Sequence, residues 1–282
     1  MKKRITLIIA LILLNISLFS MPKGFGTHFN NWLNSHGYKG AFPFSGVGGG
    51  DNSQQAKRDP VIFVHGNGSM CWGQFGDTKG WRTVYAYLKA KGWKKEELYA
   101  VNWQDKAFTM SAYNNHSRMR VSIVKNFIKA VAAYTGRRVA VIAHSMGVTL
   151  ARRAMLVGNL YSKVKTFIAI AGANHGLRHC TYRFFGQLKC KIVPTCLPDK
   201  GLCPIPGSFV TRLNSAGDGD NEMQGKPTRT YVMRSRGDQI CVPFYTPLLK
   251  GAHKVLTFKN YSHWELKNRT GKYQYNCLMW KY

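Results

Sequence analysis

Short unbroken apolar runs alternate with longer stretches of helical spacing through the middle of the chain. Val61-Ile62-Phe63-Val64 is a β-branched run that empties into His65-Gly66-Asn67-Gly68, the pattern of a buried strand feeding a glycine loop. Residues 81–91 place Trp81, Val84, Tyr85 and Leu88 at helical spacing and stop at Gly92, and 98–103 reads as the next strand. Residues 117–135 put Val121, Val124, Phe127, Ile128 and Val131 on one broad helical face that stops at Gly136. Val139–Ala143 follows as a strand, then a tight turn, a helix from Gly147 to Leu156, and an apolar strand at 164–171. Strands at 230–235 and 255–258 resume the rhythm after an interruption at 174–227. Buried, non-alternating strands separated by helices predict an α/β fold, with a mostly parallel central sheet and helices on both faces.

This pattern gives one domain, residues 21–282, in which 174–227 is a Cys/Pro-rich insertion of lid or cap type. A lead rich in aromatic residues and glycine, 24–58, precedes it. The first twenty residues differ in kind. Lys2-Lys3-Arg4 precedes an apolar run from Ile5 to Phe19 that is short for a membrane span, so residues 1–20 read as a signal peptide cleaved after Ser20. The expected location is secreted and extracellular.

At 282 residues and 45% apolar content the chain is able to bury a full core, which excludes a disordered or collagen-like protein. The charge is unusual: 41 Lys+Arg against 12 Asp+Glu give +29, and loss of the three leader cations still leaves +26. Such an excess favours an anionic membrane or lipid interface as a partner surface. The basic residues are scattered in short runs such as Lys57-Arg58 and Arg137-Arg138, with no motif of a dedicated nucleic-acid partner.

All seven cysteines follow the leader, and four of them (Cys180, Cys190, Cys196, Cys203) crowd the insertion with Pro194, Pro198, Pro204 and Pro206. In a secreted chain they read as disulfides, with one thiol left over by the odd count, Cys71 or Cys277. No CxxC pair suggests a zinc site, and no metal or organic cofactor is expected. Sequons at Asn67, Asn115, Asn260 and Asn268 predict a glycoprotein, with Asn67 unmodified if its loop serves catalysis.

Ala143-His144-Ser145-Met146-Gly147 carries the chemistry. A serine with small residues two positions away on either side, between a buried strand and a helix, fits a strained turn that projects its hydroxyl at the helix N-terminus. A nucleophile there needs an acid and a base from loops after later strands, in the order Ser, Asp or Glu, His. Of the downstream carboxylates only Asp238 directly follows a strand, while the 218–222 cluster reads as turn or solubility residues. His263 follows the strand at 255–258 through a short loop, whereas His253 precedes that strand and His175 and His179 precede Asp238. The catalytic candidates are therefore Ser145, Asp238 and His263. The backbone N–H groups of Met146 and Asn67 are the candidates for the oxyanion hole. His65 reads as a structural hydrogen-bonder of the Asn67 loop.

These residues sit in stretches that resemble the class 2 lipases, a family of secreted α/β-hydrolases: Pro60–Gly68, Ala143–Arg152 and Ile170–Leu177. The first two, with Asn114–His116 and Ala133–Gly136, also resemble extracellular polyhydroxybutyrate depolymerases. The similarity extends over roughly residues 29–278 and is weakest at 176–227. It implies an α/β-hydrolase fold and an ester hydrolase acting through Ser145, Asp238 and His263, with the Asn67 and Met146 amides on the oxyanion.

The expected function is a serine carboxylic-ester hydrolase, a lipase on acylglycerols. The alternatives are a polyester depolymerase or short-chain esterase, and, from another class, a non-catalytic basic protein that binds surfaces or lipid.

Overall fold

The computed structural model describes residues 21–50, 56–72, 80–105, 108–217, 221–223 and 225–282. The leader predicted at 1–20 lies outside the described residues, as do Asp218 and Asp220. An eight-stranded sheet runs in the order β1 (Gly24–Phe25), β2 (Gly46–Gly48), β4 (Leu98–Val101), β3 (Val61–Val64), β5 (Val139–His144), β6 (Val164–Ile170), β9 (Arg229–Ser235), β10 (Lys254–Phe258). Only the β2–β4 pair is antiparallel. β7 (Thr181–Phe184) and β8 (Gln187–Cys190) form a separate antiparallel hairpin inside the insertion.

The apolar runs become strands because both sheet faces are covered. One face carries α1 (Thr27–Ser35), α3 (Arg118–Thr135), α4 (Met146–Gly158) and α5 (Phe209–Asn214) over a core that includes Phe29, Val64, Phe127 and Val141. The other carries α2 (Arg82–Ala90), α6 (His263–Asn268) and α7 (Gly271–Leu278) over Phe63, Trp81, Ile142 and Tyr231. Every residue of β3, β4 and β5 is buried, which removes the alternation a half-exposed strand would show. This is the expected α/β-hydrolase architecture. Among the described residues no helix is long and apolar enough to cross a membrane.

Local chemistry sets the helix ends. Ser117 caps α3 by accepting from the Arg120 N–H, and Gly136 ends it in the left-handed region. The strand predicted over 98–103 stops at Val101, because Asn102 and Trp103 turn to other tasks. Asn102 Oδ1 accepts from Cys71 N at 2.8 Å, and Trp103 Nε1 donates to His65 O at 2.9 Å.

The cysteine expectation needs correction. Cys180 pairs with Cys196 and Cys190 with Cys203, and three thiols rather than one stay unpaired: Cys71, Cys241 and Cys277, all buried. Cys71 and Cys277 pack in the core beneath α2 and α7, while the Cys241 thiol donates to Ala171 O at 3.0 Å.

Candidate active site

The turn from β5 into α4 holds Ser145 at φ 56°, ψ −131°, a conformation that costs a non-glycine residue of order 1–3 kcal/mol. The surrounding backbone leaves no alternative. A Cβ at Gly147 would lie 2.3 Å from His65 O, and one at Gly66 would lie 2.9 Å from Ser145 Cβ. The β3 loop and the β5 turn thus touch main chain to main chain. Ser145 N donates to Ile170 O at 2.9 Å, which fixes the turn to the neighbouring strand.

Asp238 sits in the loop after β9. Its Oδ1 accepts from the amides of Ile240 and Cys241, both at 2.9 Å, and its two oxygens lie 3.0 and 2.9 Å from His263 Nδ1. Burial pushes the Asp238 carboxyl up, but the hydrogen bond and charge of His263, with the two amides, outweigh it and hold the pKa below the usual aspartate value. His263 is the first residue of α6. The helix start is fixed by a capping box, in which Ser262 Oγ accepts from Glu265 N while Glu265 Oε2 accepts from Ser262 N at 3.0 Å. The sequence Ser262-His263-Trp264-Glu265 carries that signal in plain form.

His144 braces the same ring from below. Its Nε2 donates to His263 O at 3.0 Å, and the two ring centroids are 4.6 Å apart. Burial, then the electrostatic influence of the neighbouring His263 ring and of Lys267, drives its pKa well below 6.5, so it stays neutral.

A cavity of about 500 Å³ joins these parts, and Ser145, His263, Asn67 and Met146 all line it. Met146 opens α4, so its N–H has no acceptor within the helix. The Asn67 loop is held by a chain of side-chain amides. Asn67 Nδ2 donates to Ser111 O at 2.9 Å and Asn114 Nδ2 to Asn67 Oδ1 at 2.7 Å, and Gln104 Nε2 donates to Ser69 O at 2.7 Å. His65 has the structural place expected of it: it stacks on Trp103, donates from Nδ1 to Gly66 O at 2.9 Å, and accepts from Trp103 N. Burial pushes its pKa down to about 3.

The insertion supplies the opposite wall through Leu177, His179, Thr195 and Leu202. Thr195 Oγ1 lies 2.7, 3.0 and 2.7 Å from the carbonyl oxygens of Ser111, Ala112 and Asn114. This segment also carries the partners of Asn67. Trp264 and the buried Lys267, whose ammonium is 5.4 Å from the Trp81 ring, also line the cavity. No spacing in the sequence singles them out.

Glu222 departs from the turn-residue reading. It is buried, its Oε1 lies 3.0 Å from His175 Nε2, and its carbonyl accepts from Arg152 at 2.6 Å. Arg152 is itself buried on α4 and donates to Asn174 and Asn214. The network staples the insertion to the helix that starts at Ser145. Asp238, Cys241 and His263 could converge on a metal ion, but His263 Nδ1 and Cys241 Sγ already have hydrogen-bond partners.

Solved structures with this fold include Aspergillus fumigatus lipase B, at TM-score 0.54 and 20% identity, covering 78% of this chain and 52% of that one. The present chain therefore spans about half the length of that enzyme. The mature form of Bacillus licheniformis lipase BlEst2 matches at TM-score 0.55 and 14% identity over 80% of this chain and 94% of its own. The Pyrobaculum calidifontis esterase matches at TM-score 0.52 and 13% identity over 81% and 78%. A sequence model of the family described as lipase (class 2) matches residues 58–276, a stretch that starts just before β3, takes in the Asn67 loop, the Ser145 turn and the capped start of α6, and ends within α7. The chain thus belongs to the class 2 lipases, a family of lipase- and esterase-type hydrolases.

Proposed function

We propose that the protein is a secreted lipase that cleaves acylglycerols through Ser145, His263 and Asp238. The observation that carries this reading is the convergence, in one cavity, of a serine on a strained turn and a histidine gripped by a buried carboxylate. Asp238 keeps the His263 proton on Nδ1 and leaves Nε2 free to take the proton of Ser145 Oγ. The oxygen attacks the ester carbonyl, and the developing oxyanion accepts from the N–H groups of Met146 and Asn67. The alcohol leaves with the proton held by His263, and water then hydrolyses the acyl-enzyme with His263 again as base.

The insertion is the lid-like part of this enzyme. Its outer side presents Phe185 at 90% and Ile192 at 88% exposure, with Tyr182, Phe184 and Leu188 also exposed, amid Arg183 and Lys189. Apolar tips among cations suit a lipid interface with anionic components.

The test is Ser145→Ala, assayed on short- and long-chain nitrophenyl esters, emulsified triglyceride and polyester film. Loss of hydrolysis on all of them with an unchanged thermal midpoint is expected, and retained hydrolysis would remove the mechanism. Wild-type preference for film or for short esters over triglyceride would replace the acylglycerol assignment with a depolymerase or an esterase.

A further inference from the structure

The basic residues that look scattered in the sequence are gathered by the topology. Lys57 and Arg58 precede β3, Arg137 and Arg138 precede β5, Lys163 precedes β6 and Lys165 lies at its start, and Arg229 opens β9. These strands are mutually parallel, so their first residues share one edge of the sheet, the edge opposite Ser145. Carboxylates are sparse there. Glu97 is buried, and its oxygens accept from the backbone amides of Lys57, Arg58 and Lys94. Asp59 pairs with Lys165 at 2.6 Å.

The edge contains a cavity of about 420 Å³, within the range of roughly 300–1,000 Å³ typical of small-ligand sites. Lys57, Arg58, Arg137 and Lys165 line it against the single carboxylate of Asp59, an excess of three positive charges. Arg137 donates from Nε to Ala56 O at 2.9 Å, its one hydrogen bond among the described residues. Two indoles complete the walls. Trp93 is 5% exposed and lines the cavity from within the fold. The Arg58 guanidinium lies 4.8 Å from its ring centroid. Trp280 is 37% exposed and is pinned by an Nε1 bond to Thr166 Oγ1 at 2.9 Å, while Lys165 and Arg229 approach its ring at 4.9 and 5.3 Å.

We propose that this cavity is a binding site for a sulfated glycan, with sulfate esters held by Arg137 and Lys57 and a sugar ring laid against Trp280. Tetrahedral oxyanions are acceptors that arginine forks match. A fixed, partly exposed aromatic plane suits the C–H face of a sugar by dispersion and burial of area. Ala140 in the cavity wall and Ser145 are five residues apart on one strand and its turn, about 16 Å at the rise of a β-strand. Occupancy therefore leaves the ester site open. The choice of a glycan over a bilayer headgroup rests on the proposed function: an enzyme standing on lipid through its insertion turns this edge away from the membrane.

The test uses the full chain and three probes: a size-defined heparin hexasaccharide, its desulfated form, and phosphatidylserine vesicles. Binding is read by calorimetry and by tryptophan fluorescence. The double variant Lys57→Glu/Arg137→Glu is compared with the charge-matched Lys23→Glu/Lys39→Glu at exposed positions remote in sequence from the cavity walls. The expected result is salt-sensitive binding of the sulfated but not the desulfated hexasaccharide, weakened about tenfold or more by the first pair and less than about twofold by the second, with vesicle binding through the insertion unchanged by the first pair. Trp280→Ala should weaken it further and abolish the fluorescence change. Hydrolysis of a soluble ester should be unchanged in every variant, so failure here is distinct from failure of the catalytic assignment. Equal losses from both pairs would reduce the site to a diffuse field. Loss of vesicle binding instead of glycan binding in the first pair would make it a lipid site.

Discussion

Asn114 Nδ2 donates to Asn67 Oδ1 at 2.7 Å and reaches Gln104 Oε1 at 2.5 Å, so one buried amide fixes the side chain of the residue whose backbone N–H is the proposed oxyanion donor. Asn114→Ala should leave the loop in place but loosely aimed. Turnover of a soluble ester should drop about tenfold with little change in KM, less than the 100-fold or more expected when a donor is removed outright. An equal rise in KM would place Asn114 in substrate binding instead.

Asp238→Asn should cost on the order of 10³–10⁴ in kcat. The amides of Ile240 and Cys241 keep the amide oxygen turned toward them, which leaves the new NH₂ facing His263 Nδ1. The ring must then carry its proton on Nε2, where it is unable to accept from Ser145. The loss should ease as pH rises and hydroxide substitutes for the missing base, and a pH-independent loss would argue against the tautomer explanation.

Acid should destabilise the fold well before its carboxylates titrate. Burial, the largest cause in each case, lowers the pKa of His65 and His116 from 6.5 to about 3 and that of His144 well below 6.5. Below pH 6.5 the unfolded chain binds protons that these rings refuse, so their contribution is full above 6.5 and falls as pH drops, by about 1.4 kcal/mol per pH unit for each ring. Asp238 and Glu222, whose folded pKa values are lowered, add the same sign at lower pH, whereas His175, raised chiefly by its Glu222 hydrogen bond, loses its contribution above 6.5. Thermal midpoints measured from pH 8 to pH 4 should fall steeply below 6.5, and His116→Gln should flatten the slope. A level profile would exclude neutral burial of these rings.

Thr195 ties the disulfide-braced insertion to the segment that carries Asn67's partners. Thr195→Val leaves three carbonyl oxygens around a methyl group and should cost about 1–3 kcal/mol, with a fall in kcat. Thr195→Ser should restore both. Rescue of stability without kcat would separate the insertion from the oxyanion loop.

Salt should distinguish docking from chemistry. At about 0.5 M the Debye length is only a few ångströms, so binding to anionic vesicles should weaken far more than hydrolysis of a soluble neutral ester. Parallel losses would show that charge acts in the ester site itself.

Much of this was legible along the chain. The strand–helix rhythm and the turn around Ser145 are local patterns, and the strands at 61–64, 139–144 and 164–170 fall within a residue of their expected ends. What escaped was set by long-range contact. Gly46–Gly48 becomes a strand because β4 offers an edge and Gly24–Phe25 because β2 then offers the next, while α1, with Phe29 and Leu33 on its buried side, lies in a lead read only for its aromatic residues and glycines. Glu222 looked like part of an acidic turn because nothing near it in sequence reveals Arg152 and His175. The hairpin at 181–190 lay hidden in a stretch read only for its cysteines. The edge of cations was invisible for the same reason: its members are adjacent only after parallel strands align their beginnings.

The contact of Gly66 with the Ser145 turn, and of Gly147 with the His65 carbonyl, has a broader consequence. With no side chain between the two loops, the closest approach of the proposed nucleophile to its oxyanion donors is set by the thickness of the polypeptide backbone. The apolar side chains of the cavity wall, such as Leu177, Leu202 and Ile240, are then free to change with the substrate while the reactive spacing stays constant. In this molecule, selectivity and reactivity are separately adjustable parts.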